Sequence, residues 1–168
     1  MAYTTALDEH PEFAALLGRL VGQWGALEHA LIAVLARLLN IDFRPAKMVF
    51  NTFPALTQKI GLLERLSKNF FEANDAREKL LALLKETYAA NDKRNEYVHA
   101  LWLNSDADEL HVQSISLQSI AKHLEAKAIL PADVEKLRAA VTFHSELLSK
   151  FLYFQRNDAP LLVALPIQ

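Results

Sequence analysis

Apolar residues recur at steps of three and four along most of this chain, the period of an amphipathic helix. Over residues 11–40 the stripe is Leu17, Leu20, Trp24, Leu27, Leu31, Val34 and Leu38, with Pro11 suited to a first turn. Gly18, Gly22 and Gly25 fall inside that stretch, although a mid-helix glycine costs roughly 1 kcal/mol relative to alanine. They predict close approach of another helix backbone. A short helix follows over 44–51. Thr52 and Pro54 then suit the cap and first turn of a third helix, which Leu56, Ile60, Leu63 and Phe70 carry toward residue 71. ANDAREKL restarts a helix near Asp75 or Ala76, predicted to run through Leu84 and Tyr88 to about Leu103.

The period changes after NSDAD (104–108), a turn signal. Leu110 and Val112 alternate with polar residues, and Ile115 and Leu117 resume the alternation after a polar pair. A short β-hairpin or extended excursion is predicted there, with 100–103 or nearby residues as its other arm. LPADVEKL opens the last long helix, whose stripe is Leu130, Val134, Leu137, Val141, His144, Leu148 and Phe151. The tail, APLLVALPIQ, is apolar and broken by two prolines. Left exposed it would form a sticky strip, so it is expected to dock on this domain or on a partner. The fold class is therefore all-α: an up-down bundle of four to five helices in one domain over 1–168, with a small β insertion before the last long helix.

Composition narrows the function classes. The chain has 168 residues, 52% hydrophobic and 23% charged, which is globular rather than disordered. Its net charge of −2 argues against a broad basic surface, so any nucleic-acid contact must be local. With no cysteine, disulfides, thiol catalysis and cysteine-ligated zinc are excluded, and a reducing cytoplasm is compatible. The start, MAYTTALDEHPEF, lacks a basic region followed by an apolar run, so no secretory signal is expected. No apolar stretch reaches membrane-spanning length. The longest, 31–39, is broken by Arg37, so no membrane partner is expected.

The chemistry concentrates in NDKRNEYVHALW, residues 91–102. Here the helical lane Leu80, Leu84, Tyr88 continues into Asn91, Asn95 and then Val98 or His99, before Trp102. Burying an unpaired amide costs a few kcal/mol, so these groups need partners or a wet cleft. Asn95 and His99, four apart, share a face. Arg94 and His99, five apart, are about 140° apart around an ideal helix. Either the long arginine wraps part of the way or a second copy of the helix supplies the missing group. Glu28, one turn after Trp24, lies at the edge of the first stripe. A buried carboxylate there needs a cation or several donors, with Arg94 the first candidate and His99 the second. Otherwise Glu28 is a solvated residue at the stripe's edge.

KRNEYVHALW resembles the R-x4-6-H signature of HEPN domains in its RN-x3-H form. Arg94, Asn95 and His99 match it, Ala100 stands where relatives often have glycine, and Trp102 fits the aromatic position. WGALEHAL, 24–31, is similar to the first helix of small HEPN proteins. The resemblance implies an all-α bundle that usually dimerises, with two motif copies beside one cleft. It implies a hydrolase: a metal-independent, cofactor-free endoribonuclease, as toxins and antiviral defence effectors of the family are, with RNA as substrate and an antitoxin protein as a further partner. His99 then moves a proton to or from the ribose 2′-hydroxyl or the leaving oxygen. Arg94 stabilises charge growing on the phosphoryl oxygens, and Asn95 orients the histidine or the phosphate. Glu28, Asn91 and Trp102 are expected to support them.

Other readings compete. Non-catalytic family members use the same cleft to bind nucleotide or protein, and Arg94, Asn95 and His99 can equally form a network that fixes helix register or holds a dimer. Glu96-Tyr97-Val98-His99 is an E-x-x-H, as in di-iron bundles, but no second E-x-x-H accompanies it. His144 falls on a core position. His29, His111 and His123 read as surface or appendage residues, and His10 lies near the terminus. The chain has no phosphate-cradling glycine loop, no H-E-x-x-H and no G-x-S-x-G.

Overall fold

The computed structural model describes residues 6–104, 110–114 and 130–165. Among these, five α-helices carry the fold: α1 (Pro11–Leu39), α2 (Phe43–Asn51), α3 (Leu56–Phe70), α4 (Asp75–Val98) and α5 (Val134–Asn157). Strands β1 (Ala100–Asn104), β2 (Leu110–Ser114) and β3 (Leu130–Pro131) follow α4 in the chain and form one antiparallel sheet in that order. The fold is an all-α helical bundle with this small sheet as its insertion, as the periodicity predicts. No described helix is long and apolar enough to cross a membrane. Residues 105–108 of the expected turn, with Ile115, Leu117 and His123, lie outside the described residues.

The chain falls into two compact units. Residues 1–24 and 90–144 form one, 25–89 and 145–168 the other, and α1, α4 and α5 supply residues to both. In the first unit, Leu16, Leu20, Tyr97, Leu137 and Ala140 are buried together, with Phe13, Val134 and Trp102 packed against them. Asp133 starts α5 by accepting the backbone N–H groups of Glu135 and Lys136 at 3.0 and 3.1 Å. These bonds hold its carboxyl below the usual range. In the second unit the buried residues include Leu31, Leu35, Phe50, Ile60, Leu84 and Phe151. There α1 ends at Asn40, whose φ of 51° is the left-handed closure that lets the Ile41 N–H reach the Ala36 carbonyl at 3.0 Å.

Several sequence expectations need correction. Thr52 closes α2 instead of opening α3: its hydroxyl donates to the Val49 carbonyl at 2.7 Å, and Ala55 stands at the start of α3. Among the described residues, Gly18, Gly22 and Gly25 make no close backbone contact, because a Cβ at any of them would meet nothing within 4 Å. Helix α4 stops at Val98 rather than near Leu103. The next residues are strand instead, with Ala100 opposite Ser114, Trp102 opposite Val112 and Asn104 opposite Leu110. The third strand, pairing Leu130 with Val112, was not foreseen.

The lane of α4 also differs. Ala76, Leu80, Leu83, Leu84, Thr87, Ala90 and Tyr97 are its buried positions, so the expected lane holds at Leu80 and Leu84, and a second lane beside it, stepping by four and three through Leu83, Thr87, Ala90 and Tyr97, passes through Arg94. Asn91 and Asn95 are half-buried at its edge. Arg94 is half-buried as they are, so both lanes turn polar over the motif.

Candidate active site

The last turns of α4 position the motif. Arg94 leaves the helix on the core lane, where its guanidinium carbon lies 5.8 Å from the centre of the Trp24 ring of α1. A cation against an indole face contributes about 0.5–2 kcal/mol, depending on desolvation. Its Nη1 donates to Asn95 Oδ1 at 2.8 Å and lies 3.3 Å from His99 Nε2. Its Nε is buried with no hydrogen-bond partner among the described residues.

Arg94 and His99 meet within one chain because α4 ends between them. The ideal offset of about 140° applies only while both residues are helical. His99 follows the last helical residue, held by its backbone N–H to the Asn95 carbonyl at 3.4 Å, and its side chain is exposed. No second copy of the helix is needed to complete the pair.

Two residues that the sequence assigns to packing adjoin this network. The ring of His144 meets Trp24 edge-on at 6.1 Å and Phe143 at 6.2 Å. Lys93 places its ammonium 4.3 Å over Phe143. Lys93, Phe143, His144, Trp24, Arg94 and His99 thus form a continuous run of cation and ring contacts across α1, α4 and α5. His144 is fully buried. Its Nδ1 lies 2.8 Å from the Ala140 carbonyl, which can only accept, so Nδ1 carries a proton. Nε2 meets no partner in hydrogen-bond geometry among the described residues. Burial pushes its pKa down. The carbonyls of Ala140 and Ala90 oppose this, and the charges of Lys93 and Arg94 add to it. Tyr97, between the motif residues, is pushed up to about 12, first by burial and then by the charges of Glu96 and Asp133. It remains a neutral phenol and offers no base at ordinary pH.

The supporting residues separate. Trp102 packs at 6.0 Å from Phe13 and 6.5 Å from Tyr97, so β1 uses it to anchor the sheet beside the motif. Asn91 is half-buried one turn before Asn95. Glu28 belongs to the other unit. It pairs with Lys59 at 3.5 Å. With 37% of its side chain exposed, water solvates much of its charge, so a motif cation is not required. Lys59 in turn lies 4.7 Å over the Phe50 ring. Among the described residues, no group of three or more His, Asp or Glu side chains could hold a metal ion. The sequence places Trp24 and His144 on apolar stripes but gives no signal that they adjoin the motif.

Compared with known proteins, the chain matches no family model, no curated protein and no solved structure.

Proposed function

We propose that the chain is a HEPN-like, metal-independent endoribonuclease acting on single-stranded RNA, as a toxin or defence effector. The observation that carries this reading is the 3.3 Å approach of Arg94 Nη1 to His99 Nε2, a fixed cation beside an exposed proton-moving group. In the proposed reaction the 2′-oxygen forms a bond to phosphorus as the bond from phosphorus to the 5′-oxygen breaks. The proton leaving the 2′-hydroxyl passes to His99, and one proton ends on the departing 5′-oxygen. Arg94 balances the charge growing on the non-bridging oxygens. The products are a 2′,3′-cyclic phosphate end, or its hydrolysis product, and a 5′-hydroxyl.

The test is RNA cleavage in EDTA by wild type, His99→Ala, Arg94→Ala and Asn95→Ala, each checked for folding. Loss of His99 should lower the rate roughly 10²–10⁴-fold. Loss of Arg94 should do similar damage, and Asn95→Ala should be milder. Deoxyribose at the cleaved position should block the reaction. Three motif residues that contact one another also suit a non-catalytic module binding nucleotide or protein. Equal inactivity, or equal activity, of wild type and the His99 and Arg94 variants would make that module the better account.

A homodimer, an antitoxin partner and a cytoplasmic location belong to the same proposal. The dimer rests on the family resemblance, since the contact between Arg94 and His99 within one chain removes the geometric need for a second copy. Light scattering at micromolar concentration should show twice the chain mass. A monomer would remove the dimer from the reading.

A further inference from the structure

We propose that Arg94 occupies the lone pair of His99 in the free protein, and that binding of an oxyanion, as phosphodiester or as free phosphate, draws the guanidinium away and releases it. The inference deepens the ribonuclease reading and rests on that reading for its catalytic consequence.

A guanidinium has donors only and stays charged. In the 3.3 Å contact between Nη1 and Nε2, the arginine must therefore donate and the imidazole nitrogen must accept. In a neutral ring, Nδ1 then carries the proton. A nitrogen whose lone pair is already engaged cannot take a proton from a hydroxyl. The free arrangement is thus a capped base.

The cap is made to come off. At 3.3 Å it is the longer of the two Nη1 contacts, the other being 2.8 Å to Asn95 Oδ1, and both share one nitrogen. Arg94 Nε is buried without a partner among the described residues, so the guanidinium is under-satisfied where it stands. A phosphate oxygen offers it charge-assisted bonds roughly twice as strong as those to neutral acceptors. The Trp24 ring, 5.8 Å from the guanidinium carbon, retains the group in the site. His99 is exposed, so an anion has access to the pair. The order that follows is anion first and base second: the histidine is freed only when a phosphoryl group sits beside it.

Nitrogen-15 NMR of the histidine rings, in buffer alkaline enough to keep them neutral, tests this without reading activity. His99→Gln assigns the resonance. The free wild type should show an unprotonated Nε2 at an acceptor position, with a scalar coupling to Arg94 Nη1. Inorganic phosphate, and an RNA dinucleotide blocked by a 2′-O-methyl group, should each move Nε2 toward the free-imidazole position and abolish the coupling. Chloride at matched ionic strength should do neither. Arg94→Gln should begin at the free position and ignore both anions, and the wild-type coupling stands as a readout if that variant does not fold. A response to the dinucleotide alone also supports the proposal and assigns the site to a nucleic-acid strand. An Nε2 unmoved by either anion, or an unprotonated Nδ1 in the free protein, overturns it. Cleavage of RNA with no anion response would sink the cap and leave the ribonuclease reading standing. An anion response in a protein that cleaves no RNA would do the reverse.

Discussion

His144 stands at a position that the helical period reserves for an apolar side chain, and its surroundings treat it as one. It is fully buried, one nitrogen faces the Ala140 carbonyl, and the other has no partner in hydrogen-bond geometry among the described residues. Burial first, and then the cations Lys93 and Arg94, keep its pKa below the ordinary value of 6.5. The sign of the linkage follows. As pH falls below 6.5 the unfolded chain takes up this proton before the folded chain does, so stability present above that pH is lost on acidification. Thermal melts from pH 7.5 down to 5 should show a falling midpoint, and His144→Leu should remove part of that slope. An unchanged slope in the variant would show that His144 does not titrate against folding. The period alone made this residue legible as core. Its place beside Trp24, and through it Arg94, was not legible, because which faces of α1, α4 and α5 converge depends on packing and not on the pattern within any one helix.

At the level of elements, the sequence defined helices better than it defined their faces and ends. The α4 stripe was expected along Leu80, Leu84 and Tyr88 to Asn95; Leu80 and Leu84 are buried, and so is a neighbouring lane of Leu83, Thr87, Ala90 and Tyr97. A straight helix drifts about 20° per heptad against a strict repeat, so over 24 residues two adjacent lanes fit the letters equally well. Only packing decides how far each is buried, and along the motif it leaves Asn91, Arg94 and Asn95 alike half-buried. The motif residues were legible all the same, because RN-x3-H is a local string. The glycines of α1 were misjudged for the opposite reason: their meaning depends on what lies opposite, and a Cβ at Gly22 meets open space. Gly22→Ala should therefore stabilise the chain by roughly 1 kcal/mol through helix propensity. For a chain of this length that raises the melting midpoint by about 2–4 °C. A lowered midpoint, with a change in mass by light scattering, would mean that this face is covered by another chain in solution.

For the whole chain, the pattern predicts one helical domain and carries no sign of the two compact units, since the same stripes continue without interruption through both. It foresaw that the apolar tail docks, but not how. The tail is held mainly by backbone. The Glu72 N–H donates to the Val163 carbonyl and the Leu165 N–H to the Phe70 carbonyl, each at 2.8 Å, around a one-residue antiparallel bridge between Phe71 and Ala164. Asn74, whose side-chain oxygen accepts the Arg77 N–H of the first α4 turn at 3.0 Å, also donates to the Leu161 carbonyl at 3.1 Å. Just before it, the buried Asp158 holds Lys79 at 2.6 Å. The apolar side chains point elsewhere: Leu161 is 60% exposed and Val163 47%. Two changes should therefore differ in effect. Deleting 162–168 removes the two backbone bonds beside the bridge, each with a net worth of about 0.5–1.5 kcal/mol, and should lower the melting midpoint by roughly 2–12 °C at about 2–4 °C per kcal/mol. Val163→Ser with Leu165→Ser keeps those bonds and alters side chains that are 47% and 42% exposed, so it should cost less than the deletion, within about 1 kcal/mol of wild type. Differential scanning fluorimetry of both, at equal concentration, separates backbone docking from side-chain docking. If the double serine variant falls as far as the deletion, the tail's apolar side chains are covered in solution, and a second chain is what covers them.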